Sequence, residues 1–197
     1  MVVMGPRDIT EVTSTEGFID LGSVLIAPVE GIEVQVQADQ NSGEVAAITV
    51  IRPNAACSIV AFAAPKSGGL WEQVRNDIAE QVKSANGPLI ESEGSWGPQL
   101  ITTVPTAGPD GTSALQDARF LGFDGPRWFC RCVLFGEAVQ GDVLDDVINA
   151  IVINRGDGAM ALGAQLPMRL PTDPQSPPEK QRDLNPFVRG PEITEVR

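Results

Sequence analysis

The chain has 197 residues, 42% of them apolar, and a formal charge of −12. This suffices for one domain of ordinary size with tails, and so negative a field repels phosphate backbones, which argues against nucleic acid as a partner. The sequence contains no histidine, which removes Ser-His-Asp and Cys-His catalysis and histidine-ligated metals, and no apolar run reaches the ~18 residues that a membrane span needs. No secretory signal pattern follows Met1, and Cys57, Cys130 and Cys132 cannot all be bridged within one chain. Reduced, buried thiols in a cytoplasmic protein are the expectation, with no cofactor and no membrane contact.

Residues 1–16 are polar and aperiodic, and are read as a mobile N-terminal arm. Gly17 to Ile26 reads as a first strand ended by Pro28. Ile32 to Ala38 alternates strictly, with Ile32, Val34 and Val36 on one face and Glu33, Gln35 and Gln37 on the other, as a strand with one wet face does. Asn41-Ser42-Gly43 supplies a turn, Val45 to Ile51 the return strand, and Cys57 to Ala64 a further strand.

The period then changes. Leu70, Trp71, Val74, Ile78 and Val82 recur every three or four residues with charges between them, which predicts an amphipathic helix over 69–86 covering one face of a sheet. Asn86-Gly87-Pro88 ends it. Leu89 to Glu93 and Leu100 to Val104 form a hairpin-like pair, and a loop with Pro109-Asp110-Gly111 at its tip follows.

The densest apolar run is Ala118 to Val139. Asp124-Gly125 reads as its turn, Arg119 to Phe123 as one strand and Trp128 to Phe135 as the next. On the second strand Trp128, Cys130, Cys132 and Leu134 share one face, and Phe129, Arg131, Val133 and Phe135 share the other with Arg127. Asp142 to Ala150 reads as a short helix capped by Asp142, with Asp145 and Asp146 on a solvated face. Ile151 to Ile153 is β-prone, Gly156 to Leu170 irregular but still apolar, and from Pro171 onward six prolines mark a disordered tail. Hairpins dominate, so the expected fold is one α+β domain over 17–170. It is an antiparallel sheet of about six to eight strands with two helices on one side.

Most polar clusters have ordinary explanations. Asp110, Asp124 and Asp157 each adjoin glycine in a turn, and the loops at 94–98 and 108–111 lack the lysine of a phosphate cradle. Arg155-Gly156-Asp157 is a short adhesion-like tripeptide of the kind that recurs by chance. Cys130 and Cys132 supply only half of a metal clip, so no metal site is expected. The feature most like a site is Arg127, Phe129 and Arg131, where paired arginines among aromatics suit an anion or a protein partner. One echo stands apart: Gly5-Pro6-Arg7-Asp8-Ile9-Thr10-Glu11-Val12 resembles Gly190-Pro191-Glu192-Ile193-Thr194-Glu195-Val196, and Asn185-Pro186-Phe187-Val188 is an apolar island nearby.

Phe62-Ala63-Ala64-Pro65 leading to Trp71, and Asp124-Gly125-Pro126-Arg127-Trp128-Phe129, carry a family resemblance that runs through residues 8–170. The chain resembles an uncharacterised actinobacterial family, the domain of unknown function numbered 3710. The resemblance implies no catalytic residues, and the element order is similar to a Mog1/PsbP-like sandwich. The functional expectation is a non-enzymatic binding or adaptor domain acting through the sheet face or the tails. The alternative is a histidine-independent enzyme acting on a small anionic molecule. Ligand, partner and oligomeric state stay open.

Overall fold

The computed structural model describes residues 5–38, 44–107 and 113–171. The turn at 41–43, the loop tip at 109–111, the proline-rich tail and its echo at 190–196 lie outside them.

Two sheets face each other. The larger is antiparallel and holds seven strands: β4 (Glu33–Ala38), β5 (Val45–Arg52), β6 (Ala55–Ala63), β7 (Leu89–Gly94), β8 (Gly97–Ala107), β9 (Ser113–Gly125) and β10 (Trp128–Gly136). Their order is β4-β5-β6-β10-β9-β8-β7. The smaller sheet, not anticipated from the sequence, is built from β1 (Arg7–Asp8), β2 (Ile19–Asp20), β3 (Val24–Ile26) and β11 (Ile151–Ile153), in the order β1-β11-β3-β2.

The main core fills the space between the sheets. Ile48, Val50, Ile59, Ala61, Cys130, Cys132 and Leu134 of the larger sheet meet Val24, Ile26, Ile151 and Ile153 of the smaller one. The alternation on β10 divides its side chains as the sequence predicts: Trp128, Cys130, Cys132 and Leu134 all enter this core. Helix α2 (Asp145–Ala150) adds Val147 and Ile148 to it. Helix α1 (Leu70–Ser84) lies on the other side of the larger sheet, against β7, β8 and β9. The two helices therefore occupy opposite faces, not one. Short helical segments carry too little sequence signal to show which face they cover.

Several boundaries differ from the sequence reading for local reasons. Gly17 to Ile26 is two strands, because Asp20 Oδ1 accepts the Gly22 N–H at 2.8 Å and Gly22 takes a φ of +88° that reverses the chain. The turn before β10 is Pro126-Arg127, not Asp124-Gly125, since Gly125 pairs directly with Trp128. Pro126 then stands at the first corner and Arg127, at φ +63°, at the second, the pattern of a type II turn. Helix α2 starts at Asp145, and Asp142 contributes only its carbonyl, 3.0 Å from the Asp145 N–H.

The largest correction concerns the N-terminal arm. Within it, Arg7–Asp8 pairs in parallel with Val152 and Ile153, and Asp8 is 6% exposed. Asp8 then caps a single 3-10 turn, Ile9–Glu11. Its Oδ1 accepts the Thr10 N–H at 3.0 Å, and Glu11 Oε2 accepts the Asp8 N–H at 2.9 Å, which is the reciprocal geometry of a capping box. A two-residue strand is too short to display a period, so only the tertiary partner reveals it.

Candidate functional site

The helix side of the larger sheet carries the residues singled out from the sequence. Trp71 is the anchor of α1. Its indole lies over Gly122, where even a methyl group would sit 2.2 Å from the Trp71 ring. Its Nε1–H donates to the Pro98 carbonyl at 2.8 Å. The helix start is held from outside the helix. Gly69 precedes it with no side chain to offer, and Asp124 of β9 supplies the missing acceptor. Asp124 Oδ1 accepts the Leu70 N–H at 2.9 Å and both carboxylate oxygens lie within 3.4 Å of the Trp71 nitrogen. Asp124 is thus a helix cap delivered by a neighbouring strand, not a turn residue.

Below Trp71 runs a column of rings. Trp71 stacks on Phe129 at 6.2 Å and 19°, and Phe129 on Phe62 at 6.0 Å and 25°. The Arg131 guanidinium carbon lies 5.6 Å from the Phe62 ring centre, within range of a cation–π contact. The three predicted residues are therefore separated by role. Phe129, 1% exposed, is interior and supports the column. Arg127 is in the turn and not on the strand face. Arg131 is half-buried at the end of the column. Burial lowers its guanidinium from the usual value, and among the described residues no carboxylate lies within ion-pair distance of it.

Beyond Arg131 the sheet face opens. Thr49 and Ile51 of β5, Ala56 and Ser58 of β6, and Phe135 of β10 all keep partial exposure. At the far end a shallow depression of about 350 Å³ is lined by Ile51, Ala56, Gln116 and Phe135. The helix covers Phe129, Val133 is buried further along, and partial exposure returns at Arg131 and again at Phe135. No local signal reports how far along a strand a helix extends.

Other chemistry sits elsewhere. Cys57, Cys130 and Cys132 are fully buried between the sheets. Hydrogen bonding to Cys130 and Cys57, together with burial, raises the Cys132 thiol well above its ordinary value, the reverse of what a nucleophilic thiol needs. Among the described residues no cluster of three cysteine or carboxylate groups has the arrangement of a metal site. Asp146, expected to be solvated, makes a two-point pair with Arg52 at 2.6 and 2.8 Å. Asp145 is half-buried, and burial raises its carboxyl. The Arg155-Gly156-Asp157 loop folds on itself through Arg155, which donates to the Gly158 carbonyl at 2.8 Å.

A family model described as a protein of unknown function, DUF3710, matches residues 5–177. The chain belongs to the DUF3710 family. The match includes the Arg7–Asp8 strand and its 3-10 turn, the ring column and the open face, so all three lie inside the matched part of this DUF3710 protein. No curated protein matches the chain significantly. Among solved structures, a crystal structure from Bacteroides thetaiotaomicron shares 13% identity with a TM-score of 0.41, over 70% of this chain and 47% of that one. The chain thus spans about half the length of that protein.

Proposed function

We propose that this protein is a non-catalytic binding module and that Arg131 is its anchor for an acidic group on a protein segment. The observation that supports this reading is the isolation of Arg131: a half-buried cation, held over Phe62, with no carboxylate among the described residues to neutralise it. A guanidinium so placed keeps its planar fork available for a carboxylate. Four residues further along the same face, the half-exposed side chains of Ile51, Ala56 and Phe135 suit an apolar part of the same segment. The favoured ligand is therefore a short extended segment in which Asp, Glu or a terminal carboxylate lies a few residues from apolar ones. The chain's own negative charge opposes acidic partners at long range, so binding of this kind is short-ranged and depends on the local site.

Selection from a random peptide library on the immobilised full chain tests this. The expected result is enrichment of peptides with a carboxylate about four residues from apolar ones. Arg131→Gln should abolish that enrichment, and Arg127→Ala, in the turn, should leave it intact. Enrichment that survives Arg131→Gln, or the absence of any enrichment, would refute the reading.

A further inference from the structure

A second group of hydrogen-bond donors lies at the end of the smaller sheet. Three segments meet there: Gly22 and Ser23 before β3, Asn154 to Gly156 after β11, and residues 167–169, which run antiparallel to the first. The Ser23 N–H donates to the Pro167 carbonyl at 3.1 Å, the Asn154 N–H to the Ser23 carbonyl at 2.8 Å, and the Arg169 N–H to the Leu21 carbonyl at 2.9 Å. Gly22 lets the first and third segments approach, because a methyl group there would lie 2.9 Å from the Pro167 carbonyl oxygen. Between the three segments is a depression of about 370 Å³.

Its lining runs against the composition of the chain. Acidic residues outnumber basic ones by 26 to 14, yet two arginines, a serine and an asparagine line the depression and no acid does. Each of the four has a donor to offer. Asn154 Oδ1 accepts the Gly156 N–H at 3.3 Å, which turns its carboxamide so that the NH2 group is the end left to donate. Arg155 Nη1 donates to the Gly156 and Gly158 carbonyls at 3.2 and 2.8 Å, which fixes the guanidinium plane. Its Nε–H is buried with no acceptor among the described residues, and no carboxylate among them lies within ion-pair distance. Arg169 spends one nitrogen on Asp20 Oδ2 at 2.6 Å, and Asp20 Oδ1 is taken by the Gly22 N–H at 2.8 Å. Asp20 therefore balances Arg169, and the charge of Arg155 stands uncompensated. Ser23 is 4% exposed, and its hydroxyl has no partner among the described residues. Buried donors without acceptors are rare in native structures, since each has given up its bond to water.

We propose that this depression binds a phosphate group, free or carried as a monoester by a small molecule. A cation finds no acceptor side chain among the lining groups. A carboxylate offers two oxygens in one plane, whereas the donors here come from three segments on three sides, as the oxygens of a tetrahedral anion require. The Arg155-Gly156-Asp157 tripeptide thereby acquires a role: its loop holds the arginine in place. The site is separate from Arg131 and does not depend on the reading given above.

The test is titration of the isotope-labelled full chain with inorganic phosphate, followed by amide NMR shifts, with sodium chloride and acetate at matched ionic strength as controls. Saturable shifts are expected at residues 22–23, 154–158 and 167–169 with phosphate alone. A parallel titration with glycerol 3-phosphate separates the two sources, and tighter binding than phosphate assigns the site to a monoester. Arg155→Gln should weaken binding about tenfold, and Arg131→Gln should leave it unchanged. Ser23→Ala should weaken it several-fold without lowering the melting temperature, because the hydroxyl holds nothing within the chain. Shifts that chloride or acetate reproduce, that fail to saturate, or that survive both Arg155→Gln and Ser23→Ala would overturn the proposal. Ser23→Ala breaks no bond of the fold, so it decides the matter even if Arg155→Gln disturbs its loop.

Discussion

Asp124 and Asp8 each tie a segment to the fold through one carboxylate, and the two respond differently to substitution. Asp124 is exposed and supplies the first-turn acceptor for α1. Asp124→Ala should cost about 0.5–2 kcal/mol, the usual loss of an N-cap, and urea titration followed by helical circular dichroism measures it. Asp8 is buried. Burial raises its carboxyl, but the Thr10 side chain, the Thr10 backbone and the Trp128 indole outweigh this and hold it below the ordinary 3.8. A carboxyl depressed in the folded state adds stability that is complete above its unfolded value and is lost as pH falls through its folded one. The unsubstituted chain should therefore exceed Asp8→Asn in stability by a constant margin at neutral pH, and the margin should shrink below about pH 4. Thermal melts of both chains at a series of pH values check this. A margin that grew on acidification would mean that Asp8 is not the group held.

Helix α1 shows what a sequence pattern contains and what it leaves out. Its 3.6-residue period was legible, and so was Trp71 as an apolar anchor. The strand pairs β4–β5, β7–β8 and β9–β10 were legible as hairpins, although the turn between β9 and β10 is Pro126-Arg127 and not Asp124-Gly125. Three things were not. The cap comes from Asp124, 54 positions from Leu70, and no local rule reaches that far. The face that α1 covers depends on Gly122, which looks in sequence like any strand glycine. The pairing of the small sheet is the third: Ile151–Ile153 and the stretch holding Val24–Ile26 were legible as strands, but two- and three-residue strands are too short to show which partner each takes. Gly122 turns this into a prediction. A methyl group there meets the Trp71 ring at 2.2 Å, and the indole is fixed by its bond to Pro98. Gly122→Ala should cost about 1–3 kcal/mol by forcing α1 off the sheet. The near-ultraviolet circular dichroism of Trp71 should weaken even where the chain stays folded. If stability and spectrum are both unchanged, the packing described for α1 is wrong.

Between the two sheets, the thiols report on the cohesion of the entire fold. Cys57 belongs to β6, and Cys130 and Cys132 to β10. All three face the smaller sheet and are fully buried in the common core. Cys130 and Cys132 were legible in the sequence as small hydrophobes, because their alternation on β10 placed them with Trp128 and Leu134. The layer that seals them was not legible. Reaching any one of them requires the sheets to separate, since no exposed edge or loop carries a thiol. That separation also breaks the Arg52 pair with Asp146 and the Asp8 contact with Trp128, which join the larger sheet to α2 and to the small sheet. Opening of this kind belongs to global unfolding rather than local fraying. In the native protein, alkylation by iodoacetamide should therefore be slow and should proceed at one rate for all three cysteines. Its urea dependence should match that of equilibrium unfolding. Arg52→Lys keeps the charge but loses the two-point geometry and the bonds to the Val143 and Glu30 carbonyls, and it should speed all three together. If Cys57 were labelled ahead of Cys130 and Cys132 with a weaker urea dependence, the β5–β6 side would open alone. The two sheets would then not be a single cooperative unit.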